Sequence, residues 1–353
     1  MKILCITPVG QVKTPETWFA ELMSKNGHDV TLLHTGYDLS RIQLKEEILN
    51  SDYDVIWGMM EYSLPTAVTY GKIMNLPVLG HVECIPPWRI GIEDNTYWGF
   101  DYPESLGETQ NVDNFRNMYM HVMKYFNQCD YKTIAGDFWR YTFKGLTGKE
   151  IDAEARYYTF DVSDTEKYLG EHSGMKYQIC SIGRFVPIKR LHHIIKALGK
   201  IPEEKRPVFK VIGYGDTIQT NYLIKLAKDL KVDMKLLGDG SDGVKQRTIQ
   251  ESMFNVQISS GIPVLEAGAL KRHTISYNNP HMMEVHKDIC TWVEENSIEA
   301  LSEKILEFLE DKELCITKGE ESQKKMYKIC NTSLFVKNVE RLLEKAIKNK
   351  GEK

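Results

Sequence analysis

Short apolar runs of strand length alternate with amphipathic stretches of helix length along this chain, and the series runs through twice. It opens on Lys2–Thr7 (KILCIT), an apolar run with no polar alternation, which predicts a strand buried on both faces. Thr14-Pro15-Glu16 then has the form of an N-cap, a first-position proline and a first-turn acid. Trp18, Phe19, Leu22 and Met23 supply the buried stripe of the helix that follows, and Gly27 closes it. Val30–Leu33, Tyr53–Trp57 and Leu76–Gly80 are further strands, with a helix from Pro65 to Met74. Strands separated by helices form parallel sheets covered on both faces.

From Ile85 to Gln128 the rhythm stops. This stretch is rich in aromatics (Trp88, Tyr97, Trp98, Phe100, Tyr102) and acids, and a loop of that length in a compact domain is usually functional. Strands resume at Tyr131–Ala135 and Arg156–Phe160, and a polar stretch from Ser163 to Lys176 separates the two series. The second series reads as strands at Tyr177–Ile182, Val208–Ile212, Met234–Leu237, Asn255–Ile258, Thr274–Tyr277 and Thr291–Val293. Its helices are expected at Leu191–Leu198, around Tyr222–Leu230, at Pro263–Leu270 and at Ile298–Leu309. With 353 residues the chain exceeds the roughly 250–300 at which a single core stops growing. The expectation is two Rossmann-like domains: residues 1–165, with the aromatic insertion near 85–128, and residues 166–333. The amphipathic segment 334–353 is a last helix crossing back to the first domain.

Net charge is −4, which argues against a nucleic-acid backbone as the main partner. The seven cysteines are scattered, with no C-x-x-C pair, and read as reduced core thiols of a cytoplasmic protein. No apolar run approaches the ~20 residues of a spanning helix, so contact with the inner face of a membrane would be peripheral.

Ligands of open parallel sheets bind beyond the carboxyl ends of the strands. Four segments of the second series place glycine or charge there: Gly183-Arg184 with Lys189, Gly213-Tyr-Gly215, Gly238-Asp-Gly240, and Ser259-Ser260-Gly261-Ile262-Pro263 leading to Glu266. Glycines admit a ligand close to the backbone, and Arg, Lys and helix N-termini attract phosphate oxygens. Together these describe a site for a diphosphate and a hydroxyl-bearing sugar.

"SIGRFVPIKRLHHIIKAL", "FKVIGYGD", "VDMKLLGD" and "GIPVLEAGALKRHTISYNNPHMMEV" resemble, in order and spacing, the retaining GT-B glycosyltransferases of glycosyltransferase family four. "MKILCITPVG", "YDVIW" and "LPVLGHVE" resemble that family's first domain, so the likeness covers nearly the whole chain outside the aromatic insertion. The resemblance implies two α/β domains with parallel sheets facing a central cleft, and a nucleotide-sugar as donor substrate. It implies a sugar or lipid-linked hydroxyl acceptor, no cofactor and no metal. Arg184 and Lys189 would hold the diphosphate and stabilise its developing charge, and Glu266 would accept from ribose hydroxyls. Ser260, Gly261 and Ile262 would offer backbone N–H groups, and Gly183, Gly213, Gly215 and Gly238 would line the donor. Gly10 would lie beneath the diphosphate and His81 would face the reacting sugar from the first domain.

One departure bears on the donor sugar: the family has a Glu eight residues before Glu266, where this chain has Ile258. That leaves two alternatives, a non-catalytic subunit acting through a partner protein and a nucleotide-sugar epimerase of the same fold. Other patterns fit ordinary structure better. Asp52-Tyr-Asp54 precedes its strand, which is the wrong edge for a metal-binding D-x-D. Gly213-Tyr-Gly215 lacks the third glycine of a dinucleotide fingerprint. His192 and His193 are adjacent on a helix and share no face. His281–His286 (HMMEVH) lacks zinc-protease spacing and reads as a loop containing Glu284.

Overall fold

The strand ladders of the computed structural model are parallel among the described residues, as apolar runs buried on both faces require. These residues are 1–8, 15–36, 42–82, 120–156, 163–240, 243–258 and 261–352. They form two compact units, each around one six-stranded sheet, and the last residues, Asn331–Lys353, belong to the first unit.

The first sheet has β1 (Lys2–Thr7), β2 (Asp29–His34), β3 (Val55–Gly58), β4 (Val78–Val82), β5 (Tyr131–Ile134) and β6 (Glu154–Ala155), in the order β2-β1-β3-β4-β5-β6. Its helices are α1 (Pro15–Lys25), the single turn α2 (Glu46–Leu49), α3 (Leu64–Ile73) and α4 (Asp137–Thr147). Leu4 and Ile6 of β1 face a core with Ile56, Tyr70, Phe126 and Trp139, while Ile3 and Cys5 face Phe19 and Trp57. Both faces are therefore dry, and this is why KILCIT shows no alternation. The second core also takes Phe335, Val339, Leu342 and Leu343 of the C-terminal helix, with the Phe19 and Phe335 rings stacked at 4.6 Å. Glu154 on β6 fixes that helix laterally: it accepts from Tyr131 Oη at 2.7 Å, from Lys345 Nζ at 2.9 Å and from Arg341.

The second unit begins with the turn α5 (Ser163–Glu166) and alternates β7 (Gln178–Ile182), α6 (Leu191–Lys200), β8 (Val208–Ile212), α7 (Thr217–Asp229), β9 (Met234–Leu236) and α8 (Val244–Glu251). It continues with β10 (Asn255–Val256), α9 (Ile262–Ala269), β11 (Thr274–Tyr277), α10 (Pro280–His286), β12 (Cys290–Val293), α11 (Ile298–Glu310) and α12 (Lys312–Ile329). The C-terminal helix is α13 (Thr332–Gly351). The strand order β12-β11-β10-β7-β8-β9 means that the chain builds outward from β7 in one direction, then returns to its other side at β10. The gap between the β7 and β10 ends is a topological switch point, where ligands of such sheets bind. β10 pairs with β7 at Asn255 opposite Cys180, and beyond it a side chain continues the ladder: Gln257 Oε1 accepts from Ile182 N at 3.1 Å.

Several expectations are corrected. His281–His286 is helical in α10, because Met282, Val285 and Ile289 bury at helical spacing. Pairing occurs at Glu154–Ala155, just before the expected Arg156–Phe160 strand, of which Tyr157–Phe160 lie outside the described residues. β3 and β4 start two residues later than expected, at Val55 and Val78, which puts His81 inside β4 rather than at its edge. Most of the aromatic insertion, including Trp88 to Tyr102, lies outside the described residues.

Candidate functional site

Three loops at the carboxyl ends of β7, β8 and β9 are stitched through glycine backbone. Gly183 N donates to Ile212 O at 2.9 Å, Gly213 N to Gly238 O at 2.6 Å, and Phe185 N to Tyr214 O at 2.7 Å. Gly213 has φ +144, and a Cβ there would stand 1.9 Å from the Gly183 carbonyl oxygen. A Cβ on Gly215 would stand 2.5 Å from Cβ of Phe185. No side chain fits at these crossings, so the glycines are required by proximity as much as by conformation.

Arg184 and Lys189 sit on the first of these loops. Arg184 is exposed, and the Lys189 stem runs 3.6 Å from where a Gly183 Cβ would be. Lys189 ends a 3₁₀ turn, Pro187–Lys189, and Arg190 follows in the left-handed region at φ 48. That unfavourable backbone is held by the Arg190 side chain, which is buried, 3.1 Å from Glu295 Oε1 and 5.9 Å from the Tyr277 ring centroid. Two cationic side chains thus stand on a loop anchored by the ion pair of the buried Arg190 with the half-buried Glu295.

Across the switch point, Gly261 precedes α9 and Glu266 lies within it. Glu266 is 1% exposed; Oε1 is 2.5 Å from Lys245 Nζ on α8, while Oε2 is buried with no hydrogen-bond partner. Burial pushes the Glu266 carboxyl above the usual carboxylate range, and the Lys245 ammonium opposes that rise. Lys245 is tied to the glycine loops: a Cβ on Gly240 would stand 2.7 Å from Cγ2 of Ile212 and 3.0 Å from Cβ of Lys245. Gly261 adjoins His286 at the end of α10, with Nε2 3.5 Å from a Cβ built on the glycine.

Of the residues singled out in the sequence, Arg184, Lys189, Gly183, Gly213, Gly215, Gly238, Gly261, Ile262 and Glu266 are all placed at the carboxyl ends of β7 to β10 or on α9. Gly10 and Ser260 lie outside the described residues. His81 belongs to the first unit, fully buried in β4, with Nδ1 2.9 Å from Oγ1 of Thr133 on β5. Ile258 is 2% exposed and packs in the core with Val256, Ile275 and Tyr277. Lys245, two residues past the glycine-rich GDGSDG, escaped the sequence reading. Among the described residues no cluster of three His, Cys, Asp or Glu side chains could hold a metal ion, and no helix is long and apolar enough to cross a membrane.

Residues 164–328 match the model of the family described as Glycosyl transferases group 1. In fold the chain is similar to Anabaena HepE in complex with UDP-glucose, at 14% identity and a TM-score of 0.72, covering 98% of this chain and 99% of that one. It is similar to sucrose-phosphate synthase from Thermosynechococcus elongatus, at 12% identity and a TM-score of 0.71, covering 97% and 98%. A third likeness is to an alpha-glucosyltransferase in complex with UDP and a 13-mer DNA containing an HMU base, at 14% identity and a TM-score of 0.67, covering 98% and 99%. No curated protein matches the chain in sequence. The two parallel six-stranded sheets are those of the GT-B fold.

Proposed function

We propose that this chain, a GT-B protein whose second unit matches the group 1 glycosyltransferases, moves a sugar from a nucleotide-diphosphate-sugar to a hydroxyl acceptor. The anomeric configuration is kept, and neither metal nor cofactor takes part. The observation that carries the reading is the stitched loop set, with Arg184 and Lys189 on one side of the switch point and buried Glu266 on the other. The backbone of Gly183, Gly213, Gly215 and Gly238 lets a diphosphate approach, and the N–H groups of Gly261 and Ile262 add donors at the start of α9. Arg184 and Lys189 hold the diphosphate oxygens and stabilise the negative charge that grows as the sugar C1–O bond breaks. Positioned charges of this kind commonly contribute about 3–4 kcal/mol each to the barrier. The acceptor hydroxyl attacks the face that the diphosphate leaves, and its proton passes to the leaving diphosphate oxygen. Glu266 Oε2 accepts from the ribose diol.

Uridine is the first base to test, since HepE and the alpha-glucosyltransferase were each captured with UDP. The acceptor is a glycan, a lipid-linked sugar or a small molecule, and the protein works in the cytoplasm or at the inner face of a membrane. The net charge of −4 weighs against DNA as acceptor. A second reading, a non-catalytic subunit that binds nucleotide and acts through a partner, is favoured by one observation. Ile258, where the related motif has a carboxylate, is part of the hydrophobic core.

The test is thermal shift and calorimetry with UDP, GDP, ADP, TDP and CDP and their sugar conjugates, on wild type, Lys189→Ala and Glu266→Ala. At about 100 times its Kd a ligand adds about 2.7 kcal/mol. One nucleotide family should stabilise wild type and not the variants, and the sugar conjugate should then release free nucleotide with a panel of sugars, lipid-linked sugars and HMU-containing DNA. Binding without turnover selects the subunit reading; no binding at millimolar nucleotide overturns both.

A further inference from the structure

We propose that Lys245 is a positioning residue for the nucleotide: its ammonium holds Glu266 as a carboxylate, leaving Oε2 as the acceptor for a ligand's hydroxyls. The inference rests on the reading of Glu266 as the ribose acceptor and adds a residue to it. A carboxyl group buried as fully as Glu266 favours its neutral form, in which one oxygen becomes a donor. A neutral acid cannot take two hydroxyl hydrogens with the strength of a carboxylate. Lys245 Nζ stands 2.5 Å from Oε1 and occupies that oxygen, so the charge is kept while the other oxygen is spared.

The geometry around the pair is rigid. Lys245 is the second residue of α8, and its Cβ abuts Gly240 on the loop that closes β9. Arg272, just beyond the C-terminal end of α9, is wholly buried and reaches the last turn of α8. Its guanidinium donates to Gln250 O at 3.1 and 2.5 Å and to Lys271 O at 3.0 Å. Among the described residues no other charge bears on Glu266. On α5, Glu166 is engaged by Tyr327 Oη, and α12 meets α9 through Ser322 and Met326, which are neutral. On β11, Thr274–Tyr277 carries no ion, and Tyr277 is turned to the opposite core with His193.

The experiment is calorimetric titration of UDP into the full chain from pH 6 to pH 9, for wild type, Lys245→Met, Lys245→Arg, Glu266→Gln and the Lys245→Met/Glu266→Gln pair. Removing the cation raises the Glu266 pKa further, so Lys245→Met should bind about tenfold more weakly near pH 7, the scale of one charged hydrogen bond. Its affinity should return toward wild type as the pH rises and the carboxyl ionises unaided. Lys245→Arg should follow wild type, and Lys245→Met should cost nothing further in the Glu266→Gln background. Lys245→Gln carries the same comparison if the methionine variant does not fold. Equal affinity and pH profile in wild type and Lys245→Met would overturn the inference alone. So would a loss that is the same at every pH and persists with Glu266→Gln, since Lys245 would then touch the ligand itself. Failure of wild type to bind any nucleotide removes the sugar-transfer reading and this inference with it.

Discussion

Gly213→Ala is the sharpest test of the stitched loops. The new Cβ would lie 1.9 Å from the Gly183 carbonyl oxygen, and since real contacts essentially never fall under 3.0 Å, one loop must retreat by at least 3.0 − 1.9 = 1.1 Å. A retreat of that size breaks the bond from Gly183 N to Ile212 O, now 2.9 Å, or the one from Gly213 N to Gly238 O, now 2.6 Å. One such bond at about 1 kcal/mol, plus about 1–3 kcal/mol for alanine at φ +144, sums to roughly 2–4 kcal/mol. A displacement of ~1 Å on the loop carrying Arg184 and Lys189 should also weaken UDP-sugar turnover by about a hundredfold. Gly238→Ala is the control: φ is +72 but nothing lies within 4 Å of the new Cβ, so only the backbone penalty of about 1–2 kcal/mol applies. Urea unfolding gives both stabilities, and nucleotide release from UDP-glucose gives turnover. If Gly213→Ala is no less stable than Gly238→Ala, the loops are not interlocked and the account of the site is wrong.

Ile258→Glu should destabilise the protein by about 3 kcal/mol or more, read by urea unfolding, because it buries a carboxylate in a core 2% exposed. Equal stability would mean that the side chain faces a polar site. Arg272→Met should cost about 3 kcal/mol, since it leaves two helix-end carbonyls buried and unpaired; thermal unfolding checks it. Glu154 is held down to about 2 by Arg341, Tyr131 and Lys345, against its own burial. A depressed carboxylate stabilises above its unfolded pKa and loses that contribution as pH falls toward the folded one. Wild type should therefore exceed Glu154→Gln by about 1 kcal/mol at pH 7, allowing for solvent screening, with the gap closing from about pH 4.5 toward pH 2. A gap that does not change with pH would show that the three-way contact carries no charge effect.

What was legible in the sequence follows from burial. Strands covered on both faces lack polar alternation, so β1 (KILCIT) and β3 (VIWG) stand out as apolar runs. α12 did not stand out, because its partner surface is built from small residues rather than an apolar stripe. Gly319 packs where a Cβ would lie 2.1 Å from Lys271 O, and Met326 and Ser322 meet Gly268 of α9. α10 was missed for a different reason: its two histidines and a Glu invite a chemical interpretation, while Met282 and Val285 alone carry the helical period. The edges of β3 and β4 were misplaced because Tyr53, Leu76 and Pro77 extend the strand-like composition before the pairing begins.

The site divides along the same line. Glycines at strand ends can be found in sequence because a backbone crossing admits no substitute, and Gly213 and Gly215 mark two such crossings. Charged residues carry no such mark: Lys245 looks like any helix-surface lysine until Glu266 is found buried 2.5 Å away. A buried carboxylate with one oxygen paired and the other without a partner is costly, and such a group persists where something is gained from it. Arg190 presents the same economy on the other side of the switch point. Its backbone is left-handed and its buried side chain pairs with Glu295, directly after Lys189. Each side of the proposed site therefore contains an ion pair with one buried partner, Arg190 with Glu295 and Glu266 with Lys245. That arrangement explains why the spacing of Arg184, Lys189, Gly261 and Glu266 is informative while each residue alone is not.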